Sequence, residues 1–439
     1  MRRKEPSCCR VLPPLHIFLA NVSCVQPTLA FDCQTHRSTK ESALETMHIG
    51  LVGREDPHSI LSYSGTPYFM SHALMRQGCE ISFFLHLREE SAALVHARDK
   101  LTRLLTGKHI NHERDPRNAR HYPEQINAAV RKHPVEAVLG TSSFYMVTRN
   151  CSVPSVFWGD TTVAGMLDRY PYYKDLTKRS IRDCHHLEQA ALDTSALAVF
   201  SNQWAADVAR ASYSFDERKL RVIPYGANLL TTPDADDIAQ FLSRRHAREC
   251  DLLFIGLDWE RKGAQIAIEA TSVLRKRGID AHLTLVGCAP PHGFSVPDYV
   301  TITGKIDKTT QQGQDALAAL YAQSHFLILP TRAECAAISL AEASAYGVPS
   351  LSTDVGGNST LVKNGVNGHL FPLEAEPADY AEYALRLLDN SRLYSAMCWS
   401  SFERFQAELN WGVAVSRLMT EINTVLQPTG GQYECSPAS

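Results

Sequence analysis

The sequence predicts an α/β protein built from two Rossmann-like, doubly wound parallel halves. Three observations carry this. Short apolar runs recur along the chain with helix-length stretches between them, and that alternation belongs to parallel sheets. The alternation breaks in a polar segment at 229–250 and then restarts. Polar residues gather just beyond the ends of the apolar runs, where open α/β sheets bind ligands.

Bulk properties set limits first. A chain of 439 residues allows two or three domains. A net charge of −3 gives no global field that points to nucleic acid. No apolar run reaches about 18 residues, so a transmembrane helix is not expected, while peripheral membrane contact stays open. Twelve cysteines are scattered without a CxxC pair, which fits a reduced, cytoplasmic protein better than a disulfide scaffold.

Residues 1–46 stand apart. Arg2, Arg3 and Lys4 precede the short apolar stretch 11–20, a loose likeness to a signal peptide. Pro13 and Pro14 interrupt it, and Met47 directly precedes a good first strand. A disordered extension, or an upstream translation start, is the expectation. From there the elements follow in order. Strands are read at 48–53, 80–85, 137–140, 155–158, 196–200 and 221–226. A helix at 67–77 opens on Pro67 and stops at Gly78. The region 88–130 is polar and helical, with little visible chemistry. In the second half, strands are read at 251–256, 282–287, 326–330 and 350–354, with helices at 264–274 and 338–346. The stretch 392–426 is helical by pattern, and the residues after 427 are expected to be disordered.

The segment 326–371 forms one β-α-β unit. Glu334 sits in the loop after its first strand and Glu342 on its helix, seven residues intervening. Gly347 and Pro349 close the helix, and Gly356-Gly357 follows the second strand. This pattern resembles the signature of the retaining glycosyltransferases of family 4. The segments 195–202, 222–228 and 254–263 are similar to the family's end of the first domain, its linker and its basic donor loop. The resemblance implies the GT-B fold: two Rossmann-like domains facing a central cleft, with a C-terminal helix crossing back. It implies an acceptor domain at 47–228, a donor-binding domain at 229–400, a helix at 401–427 packed on the first domain, and a tail at 428–439.

The chemistry can be weighed residue by residue. A nucleotide-sugar donor loses its diphosphate with growing negative charge, so positive groups must be positioned in advance. Arg261 and Lys262 follow a strand end and precede a helix, where cations can face a diphosphate; alone, the pair would read as solvated charge. Family members often carry arginine where Leu257 stands. The resemblance gives Arg261, Lys262 and Glu334 as catalytic. It gives Glu342 as an acceptor of ribose hydroxyls, a task that suits an acceptor-only carboxylate, and Glu334 as a partner of the sugar hydroxyls. The amides of Ala336, Ala337, Ile338 and Ser339 are candidates for donor oxygens, although Ala337 stands where a glycine is common. Gly356 and Gly357 permit close approach or a simple turn. Gly65 and Thr66, in a glycine-containing loop after the first strand, are further donor candidates. Asp160 follows a strand end, where it could touch the acceptor or make an Asx turn.

Two clusters are read as decoys. Asp234, Asp236 and Asp237 look like a DxD metal site, but acidic residues at a helix start explain them better. Cys184-His185-His186 is read as helix surface, since neighbours on a helix do not share a face. No metal site and no cofactor is expected. The expected partners are a nucleotide-sugar donor and a glycan, lipid-linked or small-molecule acceptor, with no nucleic acid. Alternatives are a GT-B sugar-nucleotide epimerase, a phosphorylase-like enzyme needing pyridoxal phosphate, and a non-catalytic nucleotide-sugar-binding protein.

Overall fold

Six apolar segments of the first half pair side by side and parallel: β1 (His48–Gly53), β2 (Glu80–Leu85), β3 (Ala137–Gly140), β4 (Ser155–Gly159), β5 (Leu197–Phe200) and β6 (Leu220–Val222). Their order is β2-β1-β3-β4-β5-β6. The computed structural model describes residues 46–426, save 55, 86, 90, 148–150, 168 and 246–247. The extension expected before 46 and the tail expected after 427 lie outside the described residues.

The second half repeats the plan with β7 (Glu249–Gly256), β8 (Asp280–Gly287), β9 (Val300–Gly304), β10 (Phe326–Leu329), β11 (Ser350–Thr353) and β12 (Gly368–Phe371), in the order β12-β11-β10-β7-β8-β9. All pairs are again parallel. The strand β10 is buried throughout, as its unbroken Phe-Leu-Ile-Leu requires of a strand covered on both faces.

Each sheet reverses its winding once. In the first, the chain leaves β1 for β2 on one side and returns to β3 on the other. In the second, it leaves β7 for β8 and β9 and returns to β10. Loops part at such a switch point, so a crevice opens beyond the strand ends.

The C-terminal region is two helices, Ser391–Glu408 and Trp411–Leu426. The first packs on the second sheet through Tyr394, Met397, Cys398, Phe402 and Phe405. The second crosses back: Trp411, Ala414, Val415, Leu418 and Ile422 join the core of Ile49, Leu51, Met70 and Trp158. Trp411 stacks on Tyr225 at 5.6 Å and donates to Asn228 Oδ1 at 2.8 Å. A Cβ at Gly226 would lie 2.2 Å from the Trp411 nitrogen, so this crossing needs glycine.

Some expectations change. The strand expected at 221–226 ends at Val222, because Pro224 cannot donate to a ladder. The edge strands β9 and β12 are additional. Asp234 forms a capping box with Asp237 at the start of helix Ala235–Arg244, as the reading against metal expected. The helix-surface reading of 184–186 needs correction. Cys184 is fully buried and His185 Nδ1 lies 2.9 Å from Tyr213 Oη; His186 alone of the three is exposed. Among the described residues the seven cysteines are free thiols, and no helix is long and apolar enough to cross a membrane.

Candidate functional site

The second switch point brings together the loop after β7 and the loop after β10. Asp258 caps the short helix Trp259–Lys262 by accepting from the Arg261 amide at 2.9 Å. That turn aims Arg261 and Lys262 at the β10 loop. Lys262 Nζ pairs with Glu334 Oε1. Arg261 NH1 donates to the same oxygen at 3.1 Å and to the Ala333 carbonyl at 2.8 Å. Thr331 Oγ1 adds a third contact to Glu334 Oε1 at 3.1 Å. Glu334 is 6% exposed, so its charge is stabilised by these partners rather than by water. Leu257 is 67% exposed and takes no part.

Glu342 lies on helix Ile338–Ala345, whose residues from Ser339 onward are all buried. Such a helix is covered on every side, so a carboxylate on it must be paired. Lys308 Nζ donates to Oε1 at 3.1 Å and Tyr321 Oη to Oε2 at 2.7 Å. Neither partner follows from the sequence motif. Lys308 comes from the loop after β9, one of the two strands that sequence reading missed.

Tight backbone contacts lock this region. Gly263 has φ +78°, and a Cβ there would meet the Pro330 carbonyl at 2.0 Å. Gly356 has φ +55° and faces the Glu334 carbonyl, which a Cβ would meet at 1.7 Å. Gly357 faces the Cys335 carbonyl and Asn202. Both glycines of the pair therefore cradle the Glu334-Cys335 backbone. Ala337 is the N-cap of the buried helix, and Ile338 packs against the core of the first half.

The cleft is closed. Asn202 Nδ2 donates to the Cys335 carbonyl at 3.0 Å, and the Gln203 amide to Thr360 Oγ1 at 2.9 Å. The Arg261 guanidinium sits over the Tyr170 ring at 5.4 Å. Burial, with Cys335 and Glu334 nearby, pushes the Tyr170 phenol above its ordinary value. Gly65 has φ +90° at the start of α1 (Thr66–Arg76), and Asn228 Nδ2 bonds to the Ser64 carbonyl at 2.8 Å and to Thr66 Oγ1 at 3.4 Å.

The first switch point carries a different set. A cavity of 180 Å³ opens beyond β1, β3 and β4, lined among others by Arg54, Arg114, Ser143, Asp160, Thr161 and Tyr173. Tyr63 Oη donates to Asp160 Oδ2 at 2.7 Å. Burial raises the Asp160 carboxyl above the usual range; the Tyr63 hydrogen bond lowers it, and Glu334 across the cleft raises it further. Behind it, buried Arg114 donates to fully buried Glu188 Oε2 at 2.9 Å, and Ser143 Oγ to the same oxygen at 2.8 Å. Arg114 Nε, Glu188 Oε1 and Thr161 Oγ1 make no hydrogen bond among the described residues.

Two larger cavities flank the motif. One of 780 Å³ is lined by Arg261, Arg332 and Arg169, among others, and one of 470 Å³ by Arg332, Glu334, Gly356 and Arg169. Neither is lined by Lys262 or Glu342. The cavity beside Lys308 has only 30 Å³. Arg169, Lys308 and Tyr170 are missed by sequence reasoning, for each reaches the site from a loop with no readable pattern. Among the described residues, no three His, Cys, Asp or Glu side chains converge as metal ligands do.

Residues 249–390 match the family model of glycosyl transferases group 1. That match lies wholly within the second half of the chain. The chain is 27% identical over 210 residues to the D-inositol 3-phosphate glycosyltransferase of Paenarthrobacter aurescens (strain TC1), covering 46% of this chain and 51% of that protein. To the protein of the same description from Salinispora arenicola (strain CNS-205) it is 27% identical over 263 residues, covering 56% and 58%. It thus spans little more than half the length of these curated relatives. Among solved structures, sucrose-phosphate synthase from Thermosynechococcus elongatus superposes with a TM-score of 0.59 at 19% identity, covering 86% of this chain and 99% of that one. Anabaena Alr3699/HepE in complex with UDP and glucose gives 0.56 at 14% identity, covering 86% and 100%. The fold is GT-B, and the group 1 match spans both loops of the second switch point.

Proposed function

We propose that the protein is a retaining, metal-independent glycosyltransferase. It would move a sugar from a nucleotide-diphosphate donor, held at the second switch point, to an acceptor hydroxyl at the first. The observation that carries this is the pairing of the two crevices: Arg261 and Lys262 at one, the Asp160 cavity at the other. Lys262 and Arg261 meet the charge that grows on the departing diphosphate. Glu334 orients both cations and offers its remaining lone pairs to a sugar hydroxyl. Glu342 keeps two of its four acceptor sites free of Lys308 and Tyr321, enough for a ribose diol. The amides of 336–339 and the loops at Gly65-Thr66 and Gly356-Gly357 complete the donor's surroundings. Asp160 orients the acceptor. In a front-face course the glycosidic bond breaks, the acceptor oxygen attacks on the same face, and its proton passes to the leaving diphosphate.

Among the described residues the cavity beside Lys308 is only 30 Å³, so a donor would enter Glu342's surroundings as the halves part. The relatives named for D-inositol 3-phosphate support a polyol or its phosphate as one acceptor class to assay first.

Thermal-shift measurements with UDP-, GDP- and ADP-sugars test the reading. A ligand at about 100 times its Kd stabilises the folded protein by about 2.7 kcal/mol, a rise in Tm of a few degrees. At least one series should give it. No shift from any of the three would sink the donor assignment.

A further inference from the structure

Helix α2 (Ala92–Thr106) buries only Val95 and Asp99 of its fifteen residues. Leu94, Leu101, Leu104 and Leu105 are 60%, 56%, 82% and 72% exposed. At 3.6 residues per turn, Leu94, Leu101 and Leu105 fall on one stripe with Leu104 at its edge, and the stripe lies away from Val95 and Asp99. An ordinary surface helix turns its apolar face inward. Here that face meets solvent. Single exposed leucines need no account, but four on one helix mark a contact surface.

The charge of the segment that carries the stripe is one-sided. Residues 92–108 contain Arg98, Lys100, Arg103 and Lys108 against Asp99 alone, in a chain whose net charge is −3. Asp99 points inward, accepting from the Ile110 amide at 2.6 Å. Lys100 and Lys108 are exposed, as is Arg103, whose Nε donates to Asp99 Oδ2 at 2.7 Å.

From this we infer that α2 docks the protein on an anionic lipid surface. The leucines enter the headgroup-acyl boundary, and the cations meet lipid phosphates. A second copy fits less well, because a two-fold pairing of this face brings like charges together. The helix is also tied to the first crevice. His112 Nε2 lies 3.0 Å from Asp99, and Arg98 NH1 lies 2.9 Å from Asp115. The loop between them carries Glu113 and Arg114 to the 180 Å³ cavity. Docking would set that cavity beside the bilayer, which suits an acceptor borne in it. This last consequence rests on the acceptor reading; the docking does not.

Sedimentation of the full chain with vesicles tests it, using phosphatidylcholine alone and phosphatidylcholine mixed equally with phosphatidylglycerol. The mixed vesicles should carry the protein down, less so at high salt, and phosphatidylcholine should not. The triple variant Leu101→Ser, Leu104→Ser, Leu105→Ser should bind at least about tenfold more weakly, as should Lys100→Glu with Lys108→Glu. Both variants should keep the wild-type thermal midpoint and nucleotide-sugar shift, which separates this result from a failure of the donor assignment. Equal sedimentation of wild type and the leucine variant would overturn the inference. So would no sedimentation at all, or light scattering showing a dimer that the leucine variant dissolves.

Discussion

The two switch points of this molecule are built in opposite ways. At the second, one carboxylate receives several partners: Glu334 Oε1 has Lys262, Arg261 and Thr331. At the first, one cation and one carboxylate depend on each other: Arg114 and Glu188 are 3% and 0% exposed as side chains, and each leaves a polar atom unbonded among the described residues. The second site can lose a member and keep its charges compensated. The first cannot. Redundancy of this kind suits a site where groups must shift onto a ligand's phosphates, while mutual dependence suits a wall that must hold shape.

The largest expected effect breaks the comparison at its weaker side. Arg114→Ala leaves the buried Glu188 charge without its cation, with the Ser143 hydroxyl still donating to it, and should lower stability by about 3–5 kcal/mol, read from denaturant midpoints. The double variant Arg114→Met with Glu188→Leu should recover most of that loss, since it removes the stranded charge. A single variant that costs under about 1 kcal/mol would mean that the pair is no firmer than a surface ion pair.

The next effect is on turnover. Lys262→Ala should reduce kcat about 10²–10³-fold, the range for loss of one preorganised charge-stabilising group. Its stability cost should stay well below that of Arg114→Ala, because Arg261 and Thr331 still meet Glu334. Steady-state transfer and a thermal melt on the same preparation check both halves. Unchanged kcat would remove Lys262 from the reaction.

The same contrast explains what could be read in advance. Glu334 and Glu342 belong to one β-α-β unit, so they are read together from its two strands, its helix and the Gly356-Gly357 loop; their spacing by itself would mean little, and the strand before them is an unbroken apolar run. The first site is assembled across long loops. Tyr63 finds Asp160 97 residues away, Arg114 finds Glu188 74 away, and Ser143 finds it 45 away. No local pattern marks such pairs, and 88–130 reads as featureless polar helix although it supplies Arg114. The missed strands β9 and β12 are both sheet edges. Residues of β9 alternate between exposed and wholly or partly buried, and β12 is four residues long and opens on glycine, so neither shows a continuous apolar signal. With β9 went the loop that carries Lys308, and so the environment of Glu342.

The smallest expected effect concerns Asp160, which couples the two sites. Its carboxyl is raised first by burial, with Glu334 adding across the cleft and Tyr63 opposing. An acid whose pKa is higher folded than unfolded binds its proton more tightly in the folded protein. Its stabilising contribution is then complete below the unfolded value near 3.9 and is lost as pH climbs through the raised folded value. Asp160→Asn removes the charge while keeping an oxygen for the Tyr63 hydroxyl. The variant should melt close to wild type at low pH and above it at neutral pH, by one or two degrees, on the order of 0.5 kcal/mol for a partly solvated group. Melting curves across that range decide the sign. A variant that melts below wild type at neutral pH would mean that the Tyr63 bond outweighs burial and holds Asp160 charged in the closed cleft. The comparison would then sharpen differently: each site would contain a carboxylate stabilised by its neighbours, and only the number of those neighbours would distinguish them.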